Sequence, residues 1–365
     1  MSIARDIQHM RHALRLAERA LGTTAPNPAV GCVIADSEGH VAGRGWTQKG
    51  GRPHAEMIAL QAAGARAKGA TAYVSLEPCA HHGQTPPCAE ALAAAGVARV
   101  VAAVKDPDPR VNGAGLEYLR KAGIAVAADL LAADAAELNR GFFLRVTANR
   151  PLVALKIAQS LDGRIAASSG ESRWITGSAA RRYGHFLRAR HDAILVGIGT
   201  ALADDPMLTC RLPGYEDRSP LRVVLDSALR LGEQSNLAQT AREYPTIAYT
   251  TQAKSGPLSA SGVEIAAVPK DERGRTNLGA VLNDLAKRGI TRLLVEGGAR
   301  VHAAFLDGGF ADRLEIFHAP LLLGGAGRTA IDVLAELGLG RAPRFHRTGR
   351  RTFGADTLES FAAGA

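Results

Sequence analysis

Aromatic residues are scarce: two Trp, six Tyr and nine Phe make up 5% of 365 residues. Surfaces that grip single-stranded nucleic acid rely on rings interleaved with basic side chains, so that class of partner loses its main support. Long apolar runs are also missing. The cleanest, Val100 to Val104 with its alanine neighbours, falls far short of the roughly 18 residues that a membrane-spanning helix needs. No low-complexity tract interrupts a composition that is 46% hydrophobic and 22% charged, so disorder is not the theme. The four cysteines (Cys32, Cys79, Cys88, Cys210) are too few and too dispersed to staple a chain of this length. Where they cluster they read first as metal or redox groups. The opening Met-Ser-Ile-Ala-Arg-Asp lacks the apolar core of a secretory signal, and the expected location is the cytoplasm.

What is present points to two domains, since 365 residues exceed one compact core at roughly 100 to 200 residues per domain. Lys and Arg outnumber Asp and Glu by 44 to 35, for a net charge of +9. That balance attracts anions. The basic residues are scattered, with only short clusters such as Arg344 to Arg351, so a phosphorylated small molecule and a phosphorylated cofactor are the expected partners rather than nucleic acid or a membrane.

Apolar spacing predicts a helix over 5–21, then strands over Val30–Ala35 and Val41–Trp46 joined by a hairpin turn at Asp36-Ser-Glu-Gly-His40. Helices follow at His54–Ala63, Cys88–Ala95 and Gly115–Ala122, alternating with strands at Thr71–Ser75, Arg99–Val104 and Ile124–Ala127. Alternation of this kind implies an α/β layer with a mostly parallel sheet behind the hairpin. The pattern breaks near 140–151, and the boundary is placed to give domains 1–147 and 148–365. Strands at Leu152–Ile157, Ala193–Val196, Leu221–Leu225, Thr246–Tyr249, Arg292–Val295 and Leu314–Phe317 make the second half α/β as well.

His54-Ala-Glu56 is followed, one strand later, by Pro78-Cys79-Ala-His-His-Gly-Gln-Thr-Pro-Pro-Cys88. One imidazole and two thiolates suit Zn²⁺, and three protein ligands leave a corner for water, whose pKa zinc lowers to about 7. Successive helical residues turn by about 100°, so His54 and Glu56 converge only at a helix start. There the helix dipole would also favour thiolate at Cys88. Glu56 is then the proton carrier, as in the zinc deaminases with their H-x-E and P-C-x-x-C signature. The match is partial, because eight residues rather than two separate the cysteines. His81 and His82 are rival ligands, loop formers or substrate contacts. Cys32, in a strand, and Cys210, placed near a domain surface, read as structural.

With its long inter-cysteine loop the first half resembles the deaminase domain of the bifunctional riboflavin-biosynthesis deaminase/reductase family, which has the cytidine deaminase-like, three-layer fold. The segments that carry the resemblance are Ala25-Pro-Asn-Pro-Ala-Val-Gly31, Gly51-Arg-Pro-His-Ala-Glu56, Leu76 to Cys88 and Asp106-Pro-Asp-Pro-Arg-Val-Asn-Gly113. The resemblance implies zinc on His54, Cys79 and Cys88, the proton shuttle at Glu56 and a substrate contact at Asn27. Asp108 departs from the Asn more usual in the family.

The second half has no G-x-G-x-x-G. Its marked segments are Lys156 to Ile165, Ser172 to Gly177, Arg188 to Thr200, Asp204 to Arg211 and Val295-Glu-Gly-Gly-Ala-Arg300, the last a strand-to-helix turn whose free N–H groups suit a pyrophosphate. Together they resemble the reductase domain of the same family, with a dihydrofolate reductase-like fold. The resemblance implies NADPH at Ala158, Trp174, Thr200, Asp204, Ser227 and the run Gly298, Ala299, Arg300, Val301, His302, Ala303 and Ala304. Substrate contacts would fall on Ser172, Arg188, Leu208, Arg211 and Glu296. Arg188 and Arg211 suit a ribose phosphate, which a guanidinium grips bidentately. Lys156 is left between polarising the sugar, anchoring phosphate and lying exposed at a strand end. No site residue is carried past about 310.

The expected activity is hydrolytic deamination of a phosphoribosylated diaminopyrimidinone in the first half and NADPH-dependent reduction of its ribosyl chain to ribityl in the second, in a homo-oligomer. Two alternatives stay open: a nucleic-acid deaminase of the tRNA-editing kind with an unassigned second domain, and a structural zinc protein, closed by His81 or His82, with a binding domain.

Overall fold

The computed structural model describes residues 2–82, 86–252, 257–334 and 338–364. The chain divides into two compact units, Met1–Arg150 and Pro151–Ala365. No helix among the described residues is long and apolar enough to cross a membrane.

The first unit runs α1 (Ile3–Glu18), β1 (Gly31–Ala35), β2 (Val41–Trp46), α2 (Ala55–Ala63), β3 (Thr71–Val74), α3 (Cys88–Ala94), β4 (Arg99–Ala102), α4 (Ala114–Lys121), β5 (Ala125–Ala127), α5 (Ala132–Leu138) and α6 (Arg140–Ala148). Its sheet has the order β2-β1-β3-β4-β5, with β1 antiparallel to both neighbours and β3, β4 and β5 parallel. Alternate side chains leave opposite faces of a strand. Val33 and Ala35 accordingly pack with Met10, Ala13 and Leu14 of α1, while Cys32 and Ile34 pack with Ala59 of α2 and Leu92 of α3. The result is three layers. Gly43 and Gly45 on β2 let α2 come close, for a Cβ on them would meet the Ala59 and Ala55 carbonyls at 2.1 and 2.4 Å. That approach fixes the start of α2, and with it His54 and Glu56.

The break expected at 140–151 is instead largely helical, with α5 and α6 meeting at Asn139. Both helices are short and weakly apolar, which hid them. The buried Asn139 amide bonds both the N–H (2.9 Å) and the C=O (3.0 Å) of Ala29, tying the helix pair to the Pro-Asn-Pro segment.

The second unit runs β6 (Leu152–Ser160), β7 (Arg164–Ala166), α7 (Ser178–Ala189), β8 (Ala193–Gly197), α8 (Ile198–Asp204), β9 (Leu221–Leu225), α9 (Asn236–Gln239), β10 (Thr246–Thr250), α10 (Pro257–Ala260), β11 (Glu264–Ala267), α11 (Leu278–Lys287), β12 (Arg292–Val295), α12 (Ala299–Asp307), β13 (Arg313–Ala319), β14 (Arg328–Thr329), β15 (Phe345–Phe353) and β16 (Asp356–Ala363). Nine strands form one sheet, β11-β10-β9-β8-β12-β6-β13-β16-β15, parallel up to β13 and antiparallel beyond. The chain winds outward from β8 to β11, then returns to insert β12 between β8 and β6. Such a reversal opens a crevice beyond the carboxyl ends of the strands, where ligands bind in open α/β sheets. The six strands read from sequence are all present. The β15–β16 hairpin went unread because β15 is an exposed, arginine-rich edge strand without an apolar face.

Candidate functional site

His54 is the N-cap of α2, with extended backbone, and Glu56 lies in its first turn. The chain then forms β3, and Cys79 comes five residues past its end. Cys88 opens α3. The ligand atoms of His54, Cys79 and Cys88 all lie within 4.8 Å of one another, with Nδ1 of His54 3.2 Å from Sγ of Cys88 and 3.7 Å from Sγ of Cys79. A tetrahedral zinc with its usual Zn–N and Zn–S bonds spaces nitrogen and sulfur about 3.6 Å apart, so the trio fits the ion. Neither His81 nor His82 joins the cluster, and His82 turns to Glu90 at 3.6 Å.

The helix start acts on a different sulfur from the one expected. The Cys88 N–H points at Sγ of Cys79, 3.3 Å away, and the Cys88 thiol first, then His54 and that N–H, hold the Cys79 thiol down at about 4 against its burial. Cys88 is pushed up, because Cys79 takes its proton as acceptor, it is buried, and Glu56 lies beside it. Glu56 is 3% exposed. Burial lifts its carboxyl to about 7 although His54 pulls the other way. A carboxyl poised there exchanges protons near neutrality. Asn27 is half-buried, and its amide fills the space against Gly51, in the loop that delivers His54.

In the second unit a cavity of about 510 Å³ opens beyond β6, β8 and β12. Its wall holds Ser172, Arg188, Leu208, Arg211 and Glu296, and also Ala158, Trp174, Thr200 and Asp204. Ser227 and the run Gly298–Ala304 lie outside that wall. The Ser227 hydroxyl accepts from the Thr276 N–H, while His302 and Ala303 turn to the protein interior. Thr200 nevertheless adjoins Gly298, whose Cβ would lie 3.2 Å from its hydroxyl, and a Cβ on Gly297 would strike the Val196 backbone at 2.6 Å. The two glycines therefore let the turn before α12 pack closely on β8 and Thr200, and its place at the N-terminus of a nine-residue helix fits a pyrophosphate.

Arg188 differs from its expected use. Its Nε and Nη2 donate to the two Glu296 oxygens at 2.8 and 2.9 Å, and Nη1 donates to the Thr209 carbonyl at 2.9 Å. The bidentate fork meant for phosphate is thus occupied. Glu296 is buried, which alone would raise its pKa, but Arg188 and Lys156 hold it at about 2. Lys156 is not an exposed strand-end lysine but part of the wall, 4.0 Å from Glu296. Cys210 is not near a surface but buried, its thiol directed at the His185 carbonyl. Sequence reasoning missed Arg181 and His185. Both stand with Gly184 and Arg188 on one stripe of α7 at helical spacing, a signal that was available. His185 is held down at about 4 by burial and by Arg188 and Arg211, and its Nδ1 accepts the Arg211 N–H at 3.2 Å.

Two family models match the chain: the cytidine and deoxycytidylate deaminase zinc-binding region over residues 3–104 and the RibD C-terminal domain over residues 151–358. The chain belongs to the RibD family. RibD of Escherichia coli (strain K12), named a riboflavin biosynthesis protein, is 43% identical over 93% of this chain and 94% of its own. RibD of Aquifex aeolicus (strain VF5) is 43% identical over 87% and 88%. The structure of Acinetobacter baumannii RibD superposes with a TM-score of 0.90 at 38% identity, covering both chains completely. That of the Thermotoga maritima deaminase/reductase gives 0.88 at 33% identity, covering 99% of each. As a RibD protein the chain is a bifunctional riboflavin-biosynthesis enzyme. It pairs a zinc-dependent deaminase domain with an NADPH-dependent reductase domain, and the Thermotoga maritima relative is named a diaminohydroxyphosphoribosylaminopyrimidine deaminase/5-amino-6-(5-phosphoribosylamino)uracil reductase. The expected pairing of cytidine deaminase-like and dihydrofolate reductase-like folds is borne out.

Proposed function

We propose that residues 1–147 carry the deaminase site and 148–365 the reductase site, with the following division of labour. His54, Cys79 and Cys88 hold zinc, Glu56 moves protons, and Asn27 orients the pyrimidine. When bound, zinc supplies a water acidified enough to attack at neutral pH, and NADPH supplies hydride. Glu56 takes a proton from the attacking water as its oxygen bonds to carbon 2 of the ring. It then gives that proton to the exocyclic nitrogen, and ammonia leaves as the C–N bond breaks. The supporting observation is one juxtaposition: a buried carboxyl held near pKa 7 in the first turn of α2, two residues from a ligand of a three-residue metal cluster.

In the reductase site Ser172, Arg188, Leu208, Arg211 and Glu296 bind the substrate, while Ala158, Trp174, Thr200, Asp204, Ser227 and Gly298–Ala304 bind NADPH. The ion pair of Arg188 and Glu296 forms a rigid polar floor. Arg211, exposed at the rim and bonded only loosely to the Thr209 hydroxyl at 3.3 Å, takes the substrate phosphate. Placement rather than strong acid catalysis is what these groups provide. The same reading has the protein cytoplasmic, homo-oligomeric and without nucleic-acid partners, and light scattering measures the assembly.

The test supplies the diaminopyrimidinone phosphate with NADPH and follows ammonia and cofactor oxidation separately. In the wild type ammonia precedes oxidation. A Glu56→Gln protein that still releases ammonia at the wild-type rate defeats the assignment of the proton carrier.

A further inference from the structure

Glu77 lies two residues before Cys79 and is 3% exposed, yet no cation pairs with it among the described residues. Its carboxylate instead accepts four backbone N–H groups. Oε2 takes those of Asp106 (3.2 Å) and Gly113 (2.9 Å), and Oε1 takes those of Gly115 (3.0 Å) and Leu116 (3.3 Å). Its own N–H donates to the Val104 carbonyl at 2.9 Å. A carboxylate has about four acceptor sites, so this one is fully engaged by a single stretch of chain. Two of those donors belong to the first turn of α4, whose N-cap, Gly113, has no side chain to offer. Glu77 caps that helix from another element.

The stretch it holds is placed to matter. Strands β3 and β4 are adjacent and parallel, with Val74 beside Ala102. The Cys79 segment follows the first and loop 103–113 the second, so both leave the sheet at its carboxyl ends, where ligands bind in α/β sheets. The approach is tight as well: a Cβ on Gly115 would lie 1.9 Å from the Pro78 carbonyl.

We propose that Glu77 is a positioning residue of the deaminase, riveting loop 103–113 beside the metal-binding segment so that the loop forms a fixed rim for the pyrimidine substrate. The inference rests on reading the first unit as the deaminase. Glu77 governs how well substrate is held and leaves zinc and the proton carrier in place.

Glu77→Gln keeps the size but sets an amide N–H against backbone N–H donors, releasing part of the loop. Zinc content and ammonia release are measured together, with rates expressed per bound zinc so that misfolded protein does not count. The expected result is a KM raised at least tenfold, kcat within about threefold of wild type and one zinc retained. Gly115→Ala, which keeps the carboxylate but drives a methyl into the Pro78 carbonyl, gives the same split. An unchanged KM in both variants, or loss of zinc or of kcat at unchanged KM, overturns the proposal. Failure of the underlying reading shows elsewhere: Glu56→Gln would then release ammonia normally, whatever Glu77 does.

Discussion

Arg188→Met removes three donors at once from the floor of the reductase cavity. The side chains of Arg188 and Glu296 are 16% and 9% exposed, so Glu296 is left charged and poorly solvated, with Lys156 at 4.0 Å still facing it. Breaking a buried pair by removing one partner costs about 3–5 kcal/mol, and the remaining lysine favours the low end, about 3 kcal/mol. At 1.4 kcal/mol per decade that is about a 100-fold loss of amide hydrogen-exchange protection. It is to be read on β8 and β12, which flank the pair. The pH dependence sharpens the test. In the wild type Glu296 has a folded pKa of about 2, below its ordinary 4.5, so its contribution is complete above 4.5 and is lost as pH falls toward 2. In the variant burial dominates, the folded value moves above the unfolded one, and the penalty is relieved by protonation. The gap between variant and wild type should therefore narrow from pH 7 to 4.5. A protection loss under fivefold at pH 7, or a gap that widens in acid, refutes the reasoning.

Glu56→Gln is expected to slow ammonia release by about 10²- to 10⁴-fold, the usual worth of a placed acid–base group, while zinc analysis still finds one ion and NADPH oxidation of the pre-deaminated intermediate is unchanged. Gly297→Ala forces a methyl against the Val196 backbone at 2.6 Å and should destabilise the second unit by about 1–3 kcal/mol, with a raised KM for NADPH and normal ammonia release. Trp46 and Trp174 are the two tryptophans of the chain, and Trp174 is 68% exposed in the cavity wall. In a Trp46→Phe background, NADPH should quench the remaining emission. Unaltered emission at saturating NADPH would count against the placement of Trp174 at the cofactor.

Local pattern carried the sequence reading where it succeeded. Strands β1 to β5 and the buried strands of the second unit announce themselves by apolar runs between turn residues. His54, Glu56, Cys79 and Cys88 are bound by the chemistry of their types to a small set of arrangements. What escaped depends on distance along the chain. No spacing rule tells that Asn139 bonds Ala29, or that Glu77 reaches residues 106–116, because backbone N–H groups leave no mark in a sequence. Arg188 was legible as a site residue but not as the partner of Glu296, since a guanidinium suits phosphate and carboxylate alike. That the Cys79 thiol rather than the Cys88 thiol is the one held low escaped for a similar reason: which sulfur accepts from the other, from His54 and from the Cys88 N–H leaves no mark in the sequence.

The most direct test is metal analysis with X-ray absorption at the zinc edge on the full chain. The account predicts one zinc per chain with two sulfur neighbours near 2.3 Å, one imidazole nitrogen near 2.0 Å and one further light atom that exchanges with solvent. A second imidazole in that fourth place, or zinc that remains stoichiometric in Cys88→Ser with the sulfur count undiminished, contradicts it.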